Sequence, residues 1–265
     1  MLGPFRILAS ALGAALLALS APASAADTEV DLELVLAVDI SFSMDLDELD
    51  LQRQGYMAAL VSEPVLKAIR TGIHGRIALA YVEWAGTFSR RTVVDWQIVD
   101  GPETAADFAA RLGEASVQRA HRTSIAGALL YAMPMFDNNG YEGIRRVIDI
   151  SGDGVNNQGP LVLNARDEVL ARGIVINGLP LMLKRPSWGR MEIENLDDYY
   201  RDCVVGGPGS FVIPVRAKEQ FEEAIRTKLV LEIAGREPPA RVFRAQAKPR
   251  VSCTIGEQRS REWEP

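Results

Sequence analysis

Apolar positions along this chain repeat with two different periods, and the switching between them lays out the fold. Residues 32–38, Leu-Glu-Leu-Val-Leu-Ala-Val, are almost continuously apolar, as in a strand buried on both faces of a parallel sheet. From Asp45 to Ile69 the spacing turns helical: Leu49, Tyr56, Met57 and Leu60 share a stripe, and Pro64 kinks or restarts the helix. Residues 75–84 predict a second strand. Residues 88–99, with Thr92, Val93, Val94 and Trp96, predict an antiparallel edge strand reached through a turn at Gly86. A short helix is expected at 104–112, opened by Pro102. A small-residue helix follows from Ser124 to about Phe136, then a fourth strand over 145–154, a helix over 160–171 and a fifth strand over 173–183. Residues 196–203 read as helical, 210–214 as a sixth short strand and 217–233 as a final amphipathic helix with Phe221, Ala224, Ile225 and Leu229 inward. Strands alternating with helices in this order predict an α/β, doubly wound fold with a six-stranded, mostly parallel sheet and one antiparallel edge strand.

Candidate chemistry sits where the strands end. The first strand stops at Asp39, Ser41 and Ser43, three oxygen-bearing side chains at alternate positions. A carboxylate and two hydroxyls suit a hard divalent cation, and open α/β sheets bind ligands beyond the carboxyl ends of their strands. The same residues also serve as ordinary caps for the next helix, as do Asp45, Asp47 and Glu48 in its first turn. The fourth strand ends in Ser151-Gly152-Asp153-Gly154, delivering a second carboxylate, and Asn156 and Asn157 extend its polar loop. Asp149 to Gly154 matches the opening of a calcium-binding helix-loop-helix, but the required twelfth-position acid falls on Pro160 and a strand rather than a helix enters the loop, so the motif is rejected. Thr123 and Ser124 stand at the start of the small-residue helix, where either serves as a cap. His121 has no His or Cys companion at ligand spacing, which argues against zinc. Glu83 and Trp84 fall near a turn and either rim a binding surface or pack in the core.

Composition narrows the class. Arg6, an apolar run from Ile7 to Leu19 and the small-x-small site Ala23-Ser24-Ala25 predict a signal peptide over residues 1–25. The expected product is periplasmic or secreted, and no later apolar stretch is long enough to span a bilayer. Losing Arg6, the one charge in that segment, takes the formal net charge from -6 to -7, which does not suggest nucleic acid as a partner. Residues 26–235 then form one domain, with 236–265 as a C-terminal tail. The tail carries seven Lys/Arg against four Asp/Glu, and Pro238, Pro239 and Pro249 argue against a regular element in it. Export permits a disulfide between Cys203 and Cys253, with two buried free thiols as the alternative. Residues 184–194 read as a polar insertion bearing Trp188, either a rim of the ligand face or a plain surface loop.

Taken together, Asp39-Ile40-Ser41-Phe42-Ser43, Thr123 before a small-residue helix, and Asp153-Gly154 after an apolar strand resemble the metal-ion-dependent adhesion site of a von Willebrand factor type A (VWA) domain. The Val-Glu-Trp-Ala-Gly and Tyr-Tyr-Arg-Asp-Cys segments are similar to a family of exported bacterial proteins of this fold without assigned function. The resemblance implies that Ser41 and Ser43 bind Mg2+ (or Mn2+ or Ca2+) through their hydroxyls and that Thr123 adds an oxygen. It also implies that Asp39 and Asp153 hold the metal or its waters and that one vertex stays open for a partner protein's Asp or Glu. One departure matters: a glycine, Gly152, is interposed in the usual Ser-Asp-Gly, so Ser151 or Asp149 becomes an alternative ligand. Neutral hydroxyls with two carboxylates leave a cation electron-poor and receptive to a further carboxylate. The sequence offers no evident general base or nucleophile for catalysis, and Ser41 stands where a phospho-aspartate phosphatase carries its second Asp. Adhesion is therefore the expected role rather than enzymatic turnover. A metal-dependent phosphate-ester hydrolase is the alternative, and a degenerate site without metal is a third.

Overall fold

The computed structural model describes residues 26–183, 193–235 and 249–263. Its centre is β2 (Leu32–Asp39), every residue of which is buried. Preceding it is the short β1 (Thr28–Val30). There follow α1 (Leu46–Leu60), α2 (Glu63–Arg70), β3 (Ile77–Trp84), β4 (Arg90–Val99) and α3 (Pro102–Glu114). After them come α4 (Ile125–Ala132), β5 (Tyr141–Gly143), β6 (Arg146–Gly152), α5 (Val162–Ala171) and β7 (Val175–Pro180). The described chain closes with α6 (Leu196–Tyr199) running into a wide π-turn, then α7 (Phe221–Ala234) and α8 (Ile255–Trp263).

The main sheet has the order β4-β3-β2-β6-β7, parallel throughout except for the β3–β4 pair. Period-two alternation divides its side chains between two cores. Leu32, Leu34, Leu36 and Val38 pack with α1, α2, α3 and α7, whereas Val35 and Ala37 pack with α4, α5 and α6. Between β2 and β6 the winding reverses, because the chain moves outward through β3 and β4 and then returns to β6 and β7. Ligand sites of doubly wound sheets open at such a reversal, beyond the carboxyl ends of the strands. Both strands flanking this reversal end in the candidate residues.

The α/β class, the parallel sheet and the antiparallel edge match the sequence expectation; the strand count differs. Five strands form the main sheet, and β1 and β5 add a separate parallel pair. The expected sixth strand at 210–214 runs beside β7 but is held only at isolated bridges, Gly178 to Val212 and Leu181 to Val215. Gly178 N–H donates to Phe211 O, and Ile213 and Val215 N–H donate to Gly178 and Pro180 O. Pro180 has no N–H to return, so the ladder is broken at its middle rung. The predicted break near Pro64 is present: α1 ends at Leu60 and α2 starts at Glu63 with Pro64 in its first turn.

The tail is the larger correction. Cys203 and Cys253 form a disulfide, and beyond it α8 is a regular helix where prolines argued for none. All three prolines lie before residue 250, so they do not enter the helix. Residues 1–25, residues 184–192 of the expected insertion and residues 236–248 lie outside the described residues. No described helix is long and apolar enough to cross a membrane.

Candidate functional site

The loop after β2 is drawn tight by its own first residue. Asp39 is fully buried, and its Oδ1 accepts the Ser41 N–H at 2.7 Å. This turn aims Ser41 and Ser43 the same way, with their hydroxyl oxygens 2.7 Å apart. Ser43 Oγ donates in turn to Asp153 Oδ1 at 2.5 Å, joining the loop after β2 to the loop after β6. Among the described residues the buried Asp39 Oδ2 meets no hydrogen-bond partner. An orphaned carboxylate oxygen in the interior is costly unless a cation or proton meets it. Burial, and then the nearby charge of Asp153, push the Asp39 carboxyl well above the usual range.

The interposed Gly152 now has a physical reason. A Cβ there would sit 2.9 Å from Asp39 Oδ2 and 3.1 Å from the Tyr200 hydroxyl. Only glycine lets the end of β6 pass this close to the Asp39 carboxylate. The two alternatives to Asp153 are occupied on the other face of the sheet. Ser151 Oγ accepts from Gln52 Nε2 at 2.8 Å, and Asp149 lies 2.7 Å from Lys228 Nζ. Asp153, half-buried just beyond the end of β6, is the acid that reaches the serines.

Thr123 is delivered by the loop before α4. Ser124 takes the capping role, its hydroxyl accepting the Gly127 N–H, and the neighbouring threonine is not used for it. Thr123 is buried, and a side chain started at Gly154 would begin 3.4 Å from its Oγ1, so it lies against the residue following Asp153. Two hydrogen bonds hold it there: Thr123 N–H donates to Asn157 Oδ1 and Asn157 N–H donates to Thr123 O, each at 2.9 Å. Main-chain bonds also tie this loop to the one after β2, through Phe42 N–H to Ala120 O and Ala120 N–H to Ile40 O.

Other expectations resolve toward packing. Asp45 and Glu48 form a reciprocal cap on α1. Trp84 is fully buried, and Glu83 is a buried partner of Arg53 and Arg91 rather than a rim residue. His121 stacks on Phe42. Among the described residues no three His, Cys, Asp or Glu side chains gather as a metal cluster, so a cation at this place depends on hydroxyls.

The supporting roles of several residues escape a reading of the sequence. Asn156 Oδ1 accepts the Ala126 N–H of α4, while its Nδ2 donates to Pro160 O and to Glu257 Oε1 of α8. Tyr199 OH accepts the Asn156 N–H, and Tyr200 lies buried beneath Gly152. Arg122, held at a positive φ of 71°, donates to Ser260 Oγ of α8. Thus α8 grips the two loops that carry Thr123 and Asp153. The adjacent asparagines after Asp153-Gly154 were a visible signal; a helix after residue 250 was not.

Residues 29–237 match the model of a family described as a protein of unknown function, DUF1194. The chain belongs to this family. No curated protein matches this DUF1194 member. Its fold is that of VWA proteins. It resembles proximal thread matrix protein 1 of the mussel byssus, solved with a zinc-occupied metal-ion-dependent adhesion motif, at 14% identity and a TM-score of 0.56 over 78% of this chain and 49% of that one. The pilus adhesin SpaC of Lactobacillus rhamnosus GG is similar at 10% identity and a TM-score of 0.59, over 78% of this chain and 31% of the adhesin. A von Willebrand factor type A protein of Catenulispora acidiphila is similar at 13% identity and a TM-score of 0.51, over 77% and 43%. The DUF1194 chain spans about half, or less, of the length of these structures.

Proposed function

We propose that this protein is an exported, metal-ion-dependent module that binds an acidic residue of a partner protein. Asp39, Ser41, Ser43, Thr123 and Asp153 would hold Mg2+, or Mn2+ or Ca2+ in its place. The observation that carries the reading is the joined run of oxygens Ser41–Ser43–Asp153 beside the buried Asp39 Oδ2, which meets no hydrogen-bond partner among the described residues. Three loops from three strand or helix ends supply hard oxygen donors and little negative charge, a set that suits such ions. When bound, the cation supplies an electrophilic vertex for a carboxylate from outside. Asp39 orients Ser41 through the main chain, Asn157 fixes Thr123, and Gly152 makes room for Asp39.

The neighbours include a thread matrix protein and a pilus adhesin, which favours binding over turnover. Export, to the periplasm or beyond, is supported by the Cys203–Cys253 disulfide, a bond that persists in oxidising compartments. Mn2+ uptake followed by electron paramagnetic resonance, with and without an Asp-containing peptide, tests the assignment. Wild type should bind Mn2+ competitively with Mg2+, and Ser41→Ala should lose uptake while its circular dichroism spectrum stays that of a folded α/β protein. Absence of uptake by folded wild type under both conditions would falsify the reading.

A further inference from the structure

The loop that carries the two serines also displays an aromatic ring. Ile40 and Met44 are buried, whereas Phe42 between the serines is 47% exposed. Arg119 Nη2 donates to the carbonyls of Phe42 and Met44 and so fixes the loop in this posture. The Arg119 guanidinium lies 4.6 Å from the Phe42 ring centre, and His121 stacks on the ring at 4.3 Å. Phe88, in the turn between β3 and β4, is 92% exposed. These residues border an open hollow of about 410 Å³, with Arg122 and Gln158 completing its wall. The hollow adjoins the proposed cation site by chain neighbourhood: Phe42 separates Ser41 from Ser43, and Arg122 precedes Thr123.

Phe88, almost wholly in water, and the half-exposed Phe42 stand beside the proposed ligand site as an unused source of binding free energy, since a fully covered aromatic side chain buries roughly 150–250 Å². The local charge gives the hollow a sign. Arg119 is met by two neutral carbonyls and a ring face, with no carboxylate partner among the described residues. A positive group on an otherwise acidic chain favours an acidic segment over a basic one.

We propose that this hollow is the specificity half of the recognition surface, receiving a bulky apolar or aromatic side chain next to the Asp or Glu that the cation would hold. The inference rests on the proposed adhesion reading and deepens it. A cation alone selects a carboxylate; Phe42, Phe88 and Arg119 select what stands beside that carboxylate.

The test uses the full chain and two short fluorescent peptides, identical except for Phe or Ala on both sides of a single Glu. Anisotropy is read in Mg2+ and in chelator. Wild type in Mg2+ should bind the Phe peptide about tenfold more tightly than the Ala peptide, a difference of about 1.4 kcal/mol. Phe88→Ala should bring the Phe peptide to the level of the Ala peptide, and the high exposure of Phe88 keeps the variant folded, which a melting curve checks. Equal Mg2+-dependent binding of both peptides by wild type overturns the hollow and leaves the cation reading standing. A Phe preference that survives in both Phe88→Ala and Phe42→Ala also overturns it. A preference that persists undiminished in chelator upholds the hollow and overturns the cation reading, and no binding of either peptide in Mg2+ overturns both.

Discussion

Gly152 shows how far one residue decides the geometry of this site. In sequence it looks like a flaw in a familiar motif; in space it is the only residue type that lets β6 pass Asp39 Oδ2 and the Tyr200 hydroxyl. Gly152→Ala should therefore cost about 1–3 kcal/mol in denaturant-derived stability, the usual range for overpacking a filled site. On the proposed cation reading it should also weaken Mn2+ uptake, because Asp39 must move to admit the methyl group. Unchanged stability and unchanged uptake together would mean that the close approach is not a constraint. Asp39, Ser41 and Ser43 stand together in the chain at the end of an apolar strand, and their side chains meet in the fold as that spacing suggests. The duties of Asn156 and Asn157 are not legible in the sequence, since their partners Ala126 and Thr123 lie about thirty positions away in the chain.

At the scale of elements, the informative case is α8. It lies beyond the residues matched by the family model and is returned to the domain by Cys203–Cys253. Arg250 reinforces the return through Asp198 and Asp202, holding the Asp202 carboxyl below its ordinary range through its hydrogen bonds. Gly256 rests against Asn156 so closely that any Cβ would strike its carbonyl oxygen. Cys253→Ser should lower stability by about 2–5 kcal/mol, the range for losing a native disulfide. Hydrogen exchange should accelerate selectively in residues 121–124 and 153–158, the loops that α8 grips. Exchange that rises evenly over the whole chain, or does not rise in those loops, would show that α8 is merely appended. Local sequence gave little warning of this helix, because its stability comes from contacts made far along the chain rather than from its own polar, charge-rich composition.

The whole molecule is tied across the sheet by buried charge. Lys228 of α7, fully buried, pairs with Asp149 of β6 and Glu232 one turn along, and Glu232 also accepts from Asn177 of β7. Burial, with the Asp149 charge next, pushes the Glu232 carboxyl up to about 7, against the opposing pull of Lys228 and Asn177. Arg145 and Tyr56 lie within the same electrostatic neighbourhood. The folded protein thus holds a proton on Glu232 that the unfolded chain releases near its ordinary value of 4.5. This contribution is full below about 4.5 and is lost as pH rises through about 7. Melting temperature should fall across that window, and Glu232→Gln, neutral throughout, should flatten the fall. An identical slope in the variant would remove Glu232 as its source.

The sequence by itself determined the α/β class, the central buried strand, the edge hairpin and the identities of the oxygen-bearing residues at the strand ends. Those follow from local periodicity and from side-chain chemistry, which the chain carries at short range. The tertiary structure alone decided the rest: a five-stranded sheet whose sixth ladder fails at Pro180, the docking of α8, and the engagement of Asp149 and Ser151 on the far face. These depend on which N–H finds which carbonyl, and which partner a side chain meets, once distant segments come together.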